Sequence, residues 1–109
     1  MKAKLPIKRE RNGAPVNGAS QIVRFDYVNP QAKSVFVAGT FNDWHPAVTE
    51  MLNVGDGRWL KQLSLPPGKY EYRLVVNGVW MIDPGGTELV PNPFGEQNSV
   101  LNVPPLGSG

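Results

Sequence analysis

From Gln21 to Val103 the apolar residues recur at a spacing of two, and no stretch keeps a 3.6-residue period long enough to predict a helix. Val23, Phe25 and Tyr27 alternate with Arg24 and Asp26 until Asn29-Pro30 breaks the run, which predicts a strand and a turn. Ser34 to Ala38 is a short, nearly all-apolar strand. After a loop, Trp59, Leu63 and Leu65 share one face while Gln62 and Ser64 take the other, so Trp59 is assigned to the core. Pro66-Pro67-Gly68 turns the chain into a run in which Tyr70, Tyr72, Leu74 and Val76 alternate with Glu71 and Arg73. Asn77-Gly78 predicts a hairpin, because both central positions of a type I′ turn require φ > 0. Val79 to Ile82 then returns antiparallel, Asp83-Pro84-Gly85-Gly86 closes that strand, and Val100 to Val103 is a last strand after a loop rich in Pro and Asn. About seven short strands at roughly 8 to 12 residue spacing predict an all-β antiparallel sandwich of immunoglobulin-like type.

The hairpin also fixes which side chains meet. A two-residue loop pairs Val76 with Val79 and Val75 with Trp80, which puts Leu74, Val76 and Met81 on one apolar face. Trp80 falls on the other face, with Arg73 and Glu71. A sandwich buries one face of each sheet, so Trp80 is expected on the wet side and is a binding candidate. The competing reading places it in a second buried patch with Val75 and Ile82. Trp44 lies in the loop Gly39-Thr40-Phe41-Asn42-Asp43-Trp44-His45-Pro46, where Phe41 folds inward and Trp44 either protrudes or caps the end of the sandwich.

Composition narrows the chemistry. The 109 residues hold no Cys and one His, which excludes a disulfide framework, Cys-based nucleophilic catalysis and a zinc site built from thiolates and imidazoles. No metal or cofactor is expected. No apolar run approaches the ~20 residues of a membrane span, and Met1 to Arg11 lacks the apolar core of a secretory signal, so a soluble, cytoplasmic protein without a membrane partner is expected. The net charge of +2 is uneven: Lys2, Lys4, Lys8, Arg9 and Arg11 oppose only Glu10 in residues 1–20, giving that segment +4 and the rest −2. With Gly13, Pro15 and Gly18 and no aromatic residue to stack on bases, residues 1–20 read as a disordered leader rather than a nucleic-acid arm. Residues 104–109 read as a tail, leaving 21–103 as the domain.

Four ordered motifs carry a resemblance: Val35-Phe36-Val37-Ala38-Gly39-Thr40-Phe41-Asn42-Asp43-Trp44, then Leu65-Pro66-Pro67-Gly68-Lys69-Tyr70-Glu71-Tyr72-Arg73, then Val76-Asn77-Gly78-Val79-Trp80, then Asp83-Pro84. Together they resemble a family-48 carbohydrate-binding module, similar to the glycogen-binding domain of the AMP-activated protein kinase β subunit and to isoamylase-type early-set domains. The resemblance implies an early-set sandwich that binds α-1,4-linked glucan (glycogen, starch or maltooligosaccharides) on an open surface. It puts two stacking platforms on Trp44 and Trp80, the basic hydrogen-bonder on Arg73, the amide on Asn98 and the loop prop on Phe94. Arg73 stands where the family has Lys, turning a point donor into a planar fork, and Phe94 stands where it has Leu, adding a third flat surface. The residue types suit the ligand independently of the family. A pyranose has an apolar C–H face and a rim of hydroxyls, so its receptor needs flat aromatic surface and fixed donors and acceptors. A shallow site of this kind is expected to bind in roughly the millimolar to micromolar range.

Two other function classes are weighed against binding. An enzyme would need two carboxylates across a scissile bond, and Asp43, Glu71, Asp83, Glu88 and Glu96 are available. Their pattern reads as ordinary surface carboxylates, with no pair placed around a deep cleft, and no catalytic residue is assigned. An interaction module would use the same Trp and Arg residues to dock on a catalytic domain or a kinase partner, since these types dominate protein hot spots.

Overall fold

The computed structural model describes residues 19–86 and 88–105, so most of the leader (residues 1–18) and most of the tail (106–109) lie outside the described residues. Among the described residues, eight strands form two antiparallel sheets: β1 (Gln21–Val28), β2 (Val35–Gly39), β3 (Leu52–Gly55), β4 (Arg58–Leu65), β5 (Gly68–Val76), β6 (Val79–Met81), β7 (Leu89–Pro91) and β8 (Gln97–Val103). One sheet has the order β1-β4-β3. The other runs β2-β5-β8-β7, with β6 paired to β5. β2 takes one edge of β5, and β8 and β6 divide the other edge between the Gly68–Tyr72 and Leu74–Val76 halves. No helix among the described residues is long and apolar enough to cross a membrane.

The alternating pattern becomes the core directly. Phe25, Tyr27 and Trp59 from the first sheet meet Val35, Val37, Tyr72, Leu74 and Val76 from the second, with Met51 between them. Phe25 and Tyr72 pack edge to face at 5.1 Å between ring centroids, a geometry that matches the positive ring edge to the negative ring face. Trp59 is core, as its phase with Leu63 and Leu65 predicts, and its indole N–H donates to the Asn29 carbonyl at 3.3 Å.

Two strands escape the pattern. β3 is exposed along its whole length and pairs only with β4, through a bulge at Asn53/Gly55, so no buried face writes a period into its sequence. β7 has three residues and ends in Pro91, which an edge strand tolerates because no neighbour needs its N–H. The hairpin is as predicted: Asn77 and Gly78 have φ of 51° and 81°, and Leu74↔Met81, Val75↔Trp80 and Val76↔Val79 are in register. The Asn77 side chain adds a role, accepting from the backbone N–H of Lys33 at 2.7 Å.

Asp83 corrects its sequence reading. It is buried rather than a surface carboxylate, accepting from the Tyr72 hydroxyl at 2.5 Å and from the Gly85 N–H at 2.9 Å, while its own N–H donates to Ser99 Oγ. Burial first, then this bond and the adjacent charge, push the Tyr72 hydroxyl well above the ordinary tyrosine pKa. The Asp83-Pro84-Gly85-Gly86 turn is thereby pinned to β5 and β8, and it redirects the chain from β6 towards β7.

Candidate functional site

On the outer face of the larger sheet lies a groove of about 650 Å³, lined by Thr40, Trp44, Glu71, Arg73, Trp80, Asn92, Pro93, Phe94, Glu96 and Asn98. All five residues singled out from the sequence line it. They come from four places: the loop after β2 (Trp44), β5 (Arg73), β6 (Trp80), and the β7–β8 turn with the start of β8 (Phe94 and Asn98). The β7–β8 turn contributes Asn92, Pro93, Phe94 and Glu96 to one side of the groove.

Trp44 is placed by a chain of local constraints. A short 3₁₀ turn at Thr40–Asn42 is followed by two left-handed residues, Asp43 (φ 55°) and Trp44 (φ 59°), and the Trp44 N–H closes back onto the Gly39 carbonyl at 2.8 Å. Gly39 is required for close approach: a Cβ there would sit 2.5 Å from the Glu71 carbonyl oxygen and 2.8 Å from Tyr72 Cβ. The Asn42 side chain holds the loop from within, accepting from the Gly39 N–H and donating to the Val37 carbonyl and Thr49 Oγ1. Phe41 turns inward against Phe25 at 5.9 Å. Trp44 itself is half-buried, between the protruding and the capping alternatives.

Trp80 retains 39% of its surface, whereas its cross-strand partner Val75 is buried. The second-patch reading is therefore right for Val75 and not for Trp80. Phe94, at 88% exposure, stands at the tip of the β7–β8 turn.

The polar residues form a connected set. Arg73, with 14% of its side chain exposed, reaches from β5 to Glu96 with Nη1 to Oε1 at 2.5 Å, and its buried Nε has no partner among the described residues. Asn98 is buried, with Nδ2 donating to Glu71 Oε1 at 3.0 Å and Oδ1 accepting from Asn92 Nδ2 at 3.1 Å. Its role as a free amide for a ligand is thus only partly available: one N–H remains, and both heavy atoms already bind protein. Asn92 organises the turn, since its Oδ1 accepts from the N–H groups of both Phe94 and Glu96 at 3.0 Å.

Sequence reasoning did not single out Asn92, Glu71 or Glu96 for this site. Asn92 was detectable as the first residue of Asn92-Pro93-Phe94-Gly95, a turn that Gly95 completes with φ 81°. Two of the carboxylates, Glu71 and Glu96, line the same groove. Each is engaged by a neighbour: Glu71 by Asn98, Glu96 by Arg73.

Comparison with known proteins places this architecture. The chain is 31% identical over 71 residues to the 5'-AMP-activated protein kinase subunit beta-2 of Mus musculus, covering 65% of this chain and 25% of that protein. It is 30% identical over 71 residues to the beta-1 subunit of Sus scrofa, covering 65% of this chain and 55% of that sequence. Against the first of these it spans a quarter of the relative's length. Among solved structures, a maltogenic amylase from S. marinus superposes with a TM-score of 0.66 at 22% identity, covering 84% of this chain and 15% of the amylase, a likeness of fold. The model of the family described as the glycogen recognition site of AMP-activated protein kinase matches residues 22–107, and the chain belongs to that family.

Proposed function

We propose that this chain binds α-1,4-linked glucan in the groove without catalysing a reaction on it. The observation that carries the reading is convergence: Trp44, Trp80 and Phe94 offer aromatic surface around a polar floor of Arg73, Glu71, Asn98 and Glu96 in one groove. Sugar rings present an apolar C–H face to such rings and hydroxyls to such a floor. Trp44 and Trp80 sit on different structural elements, so their planes are free to be inclined to one another, which suits the curved α-1,4 chain better than a flat β-1,4 chain. Membership in a glycogen recognition family supports the ligand class. The two carboxylates are each tied into the groove, Glu71 accepting from Asn98 and Glu96 paired with Arg73, which suits a fixed set of acceptors for sugar hydroxyls. The matched relatives are by name subunits of a protein kinase, which supports a kinase or a catalytic domain as a second partner of the sandwich.

The experiment is migration of the chain through a native gel containing glycogen. Wild type is retarded, and Trp80→Ala, losing about 1 to 3 kcal/mol of stacking by analogy with aromatic–base stacking, is retarded far less. Maltooligosaccharides compete and cello-oligosaccharides do not. Unchanged mobility of the wild type in glycogen, or equal competition by both oligosaccharides, would overturn the reading.

A further inference from the structure

The groove holds three charged side chains, and their arrangement bears on which glucans it accepts. Arg73 is the only cation among the described residues that line it, against two carboxylates, Glu71 and Glu96. Arg73 is not available as a free positive centre. Its Nη1 is held by Glu96 at 2.5 Å, its side chain is mostly buried, and the backbone from which Glu96 reaches it is held by the bond from the Glu96 N–H to Asn92 Oδ1. The remaining charge belongs to Glu71, whose Oε1 accepts from Asn98 and so is oriented but not neutralised. A ligand therefore meets a floor that is net negative and rich in acceptors. Neutral hydroxyls donate well to such a floor, whereas a phosphate ester or a uronate brings acceptors and negative charge into repulsion. We infer that the groove selects uncharged glucan and rejects phosphorylated glucan, and that Glu96 sets this selectivity by occupying Arg73.

The inference rests on the glucan reading above and sharpens its ligand class. Its specific content is the role of Glu96. Without that carboxylate the guanidinium is released opposite Glu71, the floor becomes neutral, and Arg73 becomes a fork suited to phosphate oxygens.

The test compares maltotriose with maltotriose carrying a 6-phosphate on its middle ring. Binding is followed by tryptophan fluorescence at low salt, and the readout is the ratio of the two dissociation constants within each protein. Wild type is expected to bind the neutral sugar about tenfold more tightly, the order of repulsion between close charges in a partly solvated site. That ratio shrinks towards one in about 0.5 M salt, where the screening length falls to a few ångströms. In Glu96→Gln, whose exposed side chain tolerates the change, the ratio levels or reverses at low salt. Equal affinities in the wild type at low salt, or an undiminished ratio in Glu96→Gln, would overturn the inference while leaving glucan binding intact. A wild type that binds neither sugar would overturn the glucan reading and this inference together.

Discussion

Strand β5 presents two regions that share a backbone and little else. Its inward residues Tyr72, Leu74 and Val76 are buried against Phe25, Trp59 and the β2 valines, in a set held by shape and exclusion of water. Its outward residues Glu71 and Arg73 lie half-buried in the groove, each held by a hydrogen bond or ion pair to the β7–β8 segment. Stability comes mainly from the first face, because apolar burial scales with area removed from water. The proposed glucan recognition uses the second, because fixed polar groups beside aromatic rings are informative only where a ligand can reach them. From Glu71 to Leu74 the alternation of the strand keeps the two tasks one residue apart, and that separation can be broken experimentally.

The largest effect is expected on the inward face. Leu74 is 1% exposed, and Leu74→Ala should cost about 2 to 5 kcal/mol of stability through lost transfer energy and the cavity left behind. Urea unfolding measures this. Under conditions where the variant is still fully native, its glucan affinity should match wild type; a large affinity loss in the folded variant would show that core packing and groove are not separable.

The same alternation explains what was legible in the sequence. Wherever one face of a strand is buried and the other wet, the period of two appears, and it located β1, β4 and β5 and fixed the side of the sheet on which Trp80 and Arg73 stand, whereas β8, whose burial does not alternate, was read only from Val100 onward and begins at Gln97. The Asn77-Gly78 turn set the register. β3 and β7 were missed because edge strands without a buried face carry no pattern. The resemblance located Phe94 and Asn98, but neither it nor the pattern showed what holds them. The Asn92 bonds run side chain to backbone across a turn, and the Arg73–Glu96 pair joins residues 23 apart, so only the folded chain brings them together. Asp83 was misplaced at the surface for the same reason: its burial depends on Tyr72 and Ser99, which are distant in sequence.

A smaller and opposite effect is expected from Asn92→Ala. The change removes the acceptor for the Phe94 and Glu96 N–H groups and the donor to Asn98. Because the turn is mostly exposed, water replaces much of what is lost, and the stability cost should be about 1 kcal/mol. Affinity should fall about threefold to tenfold, as Phe94 loses its position and Glu96 its hold on Arg73. Thermal unfolding with fluorescence titration separates the two numbers. An Asn92→Ala protein that binds glucan like wild type would place the recognition elements on β5 and β6 alone.

The smallest effect sharpens the comparison from outside it. The outer face of the smaller sheet also exposes large apolar residues, with Ile22 at 67%, Val28 at 66% and Leu52 at 64%. These are separate aliphatic side chains interrupted by the Arg24–Asp26 pair and offer no convergent aromatic surface. Scattered exposed aliphatics are normal on folded domains, so exposure alone does not mark a sugar site. Leu52→Ser removes apolar surface that β3 never buries and should change stability by no more than about 0.5 kcal/mol, with glucan affinity unchanged. Both follow from one thermal melt with and without maltooligosaccharide: the ligand-induced rise in midpoint should equal that of wild type, since linkage depends only on affinity and concentration. A reduced rise in Leu52→Ser would move part of the glucan path onto the β1-β4-β3 face, and the outer face of β5 would no longer account for recognition by itself.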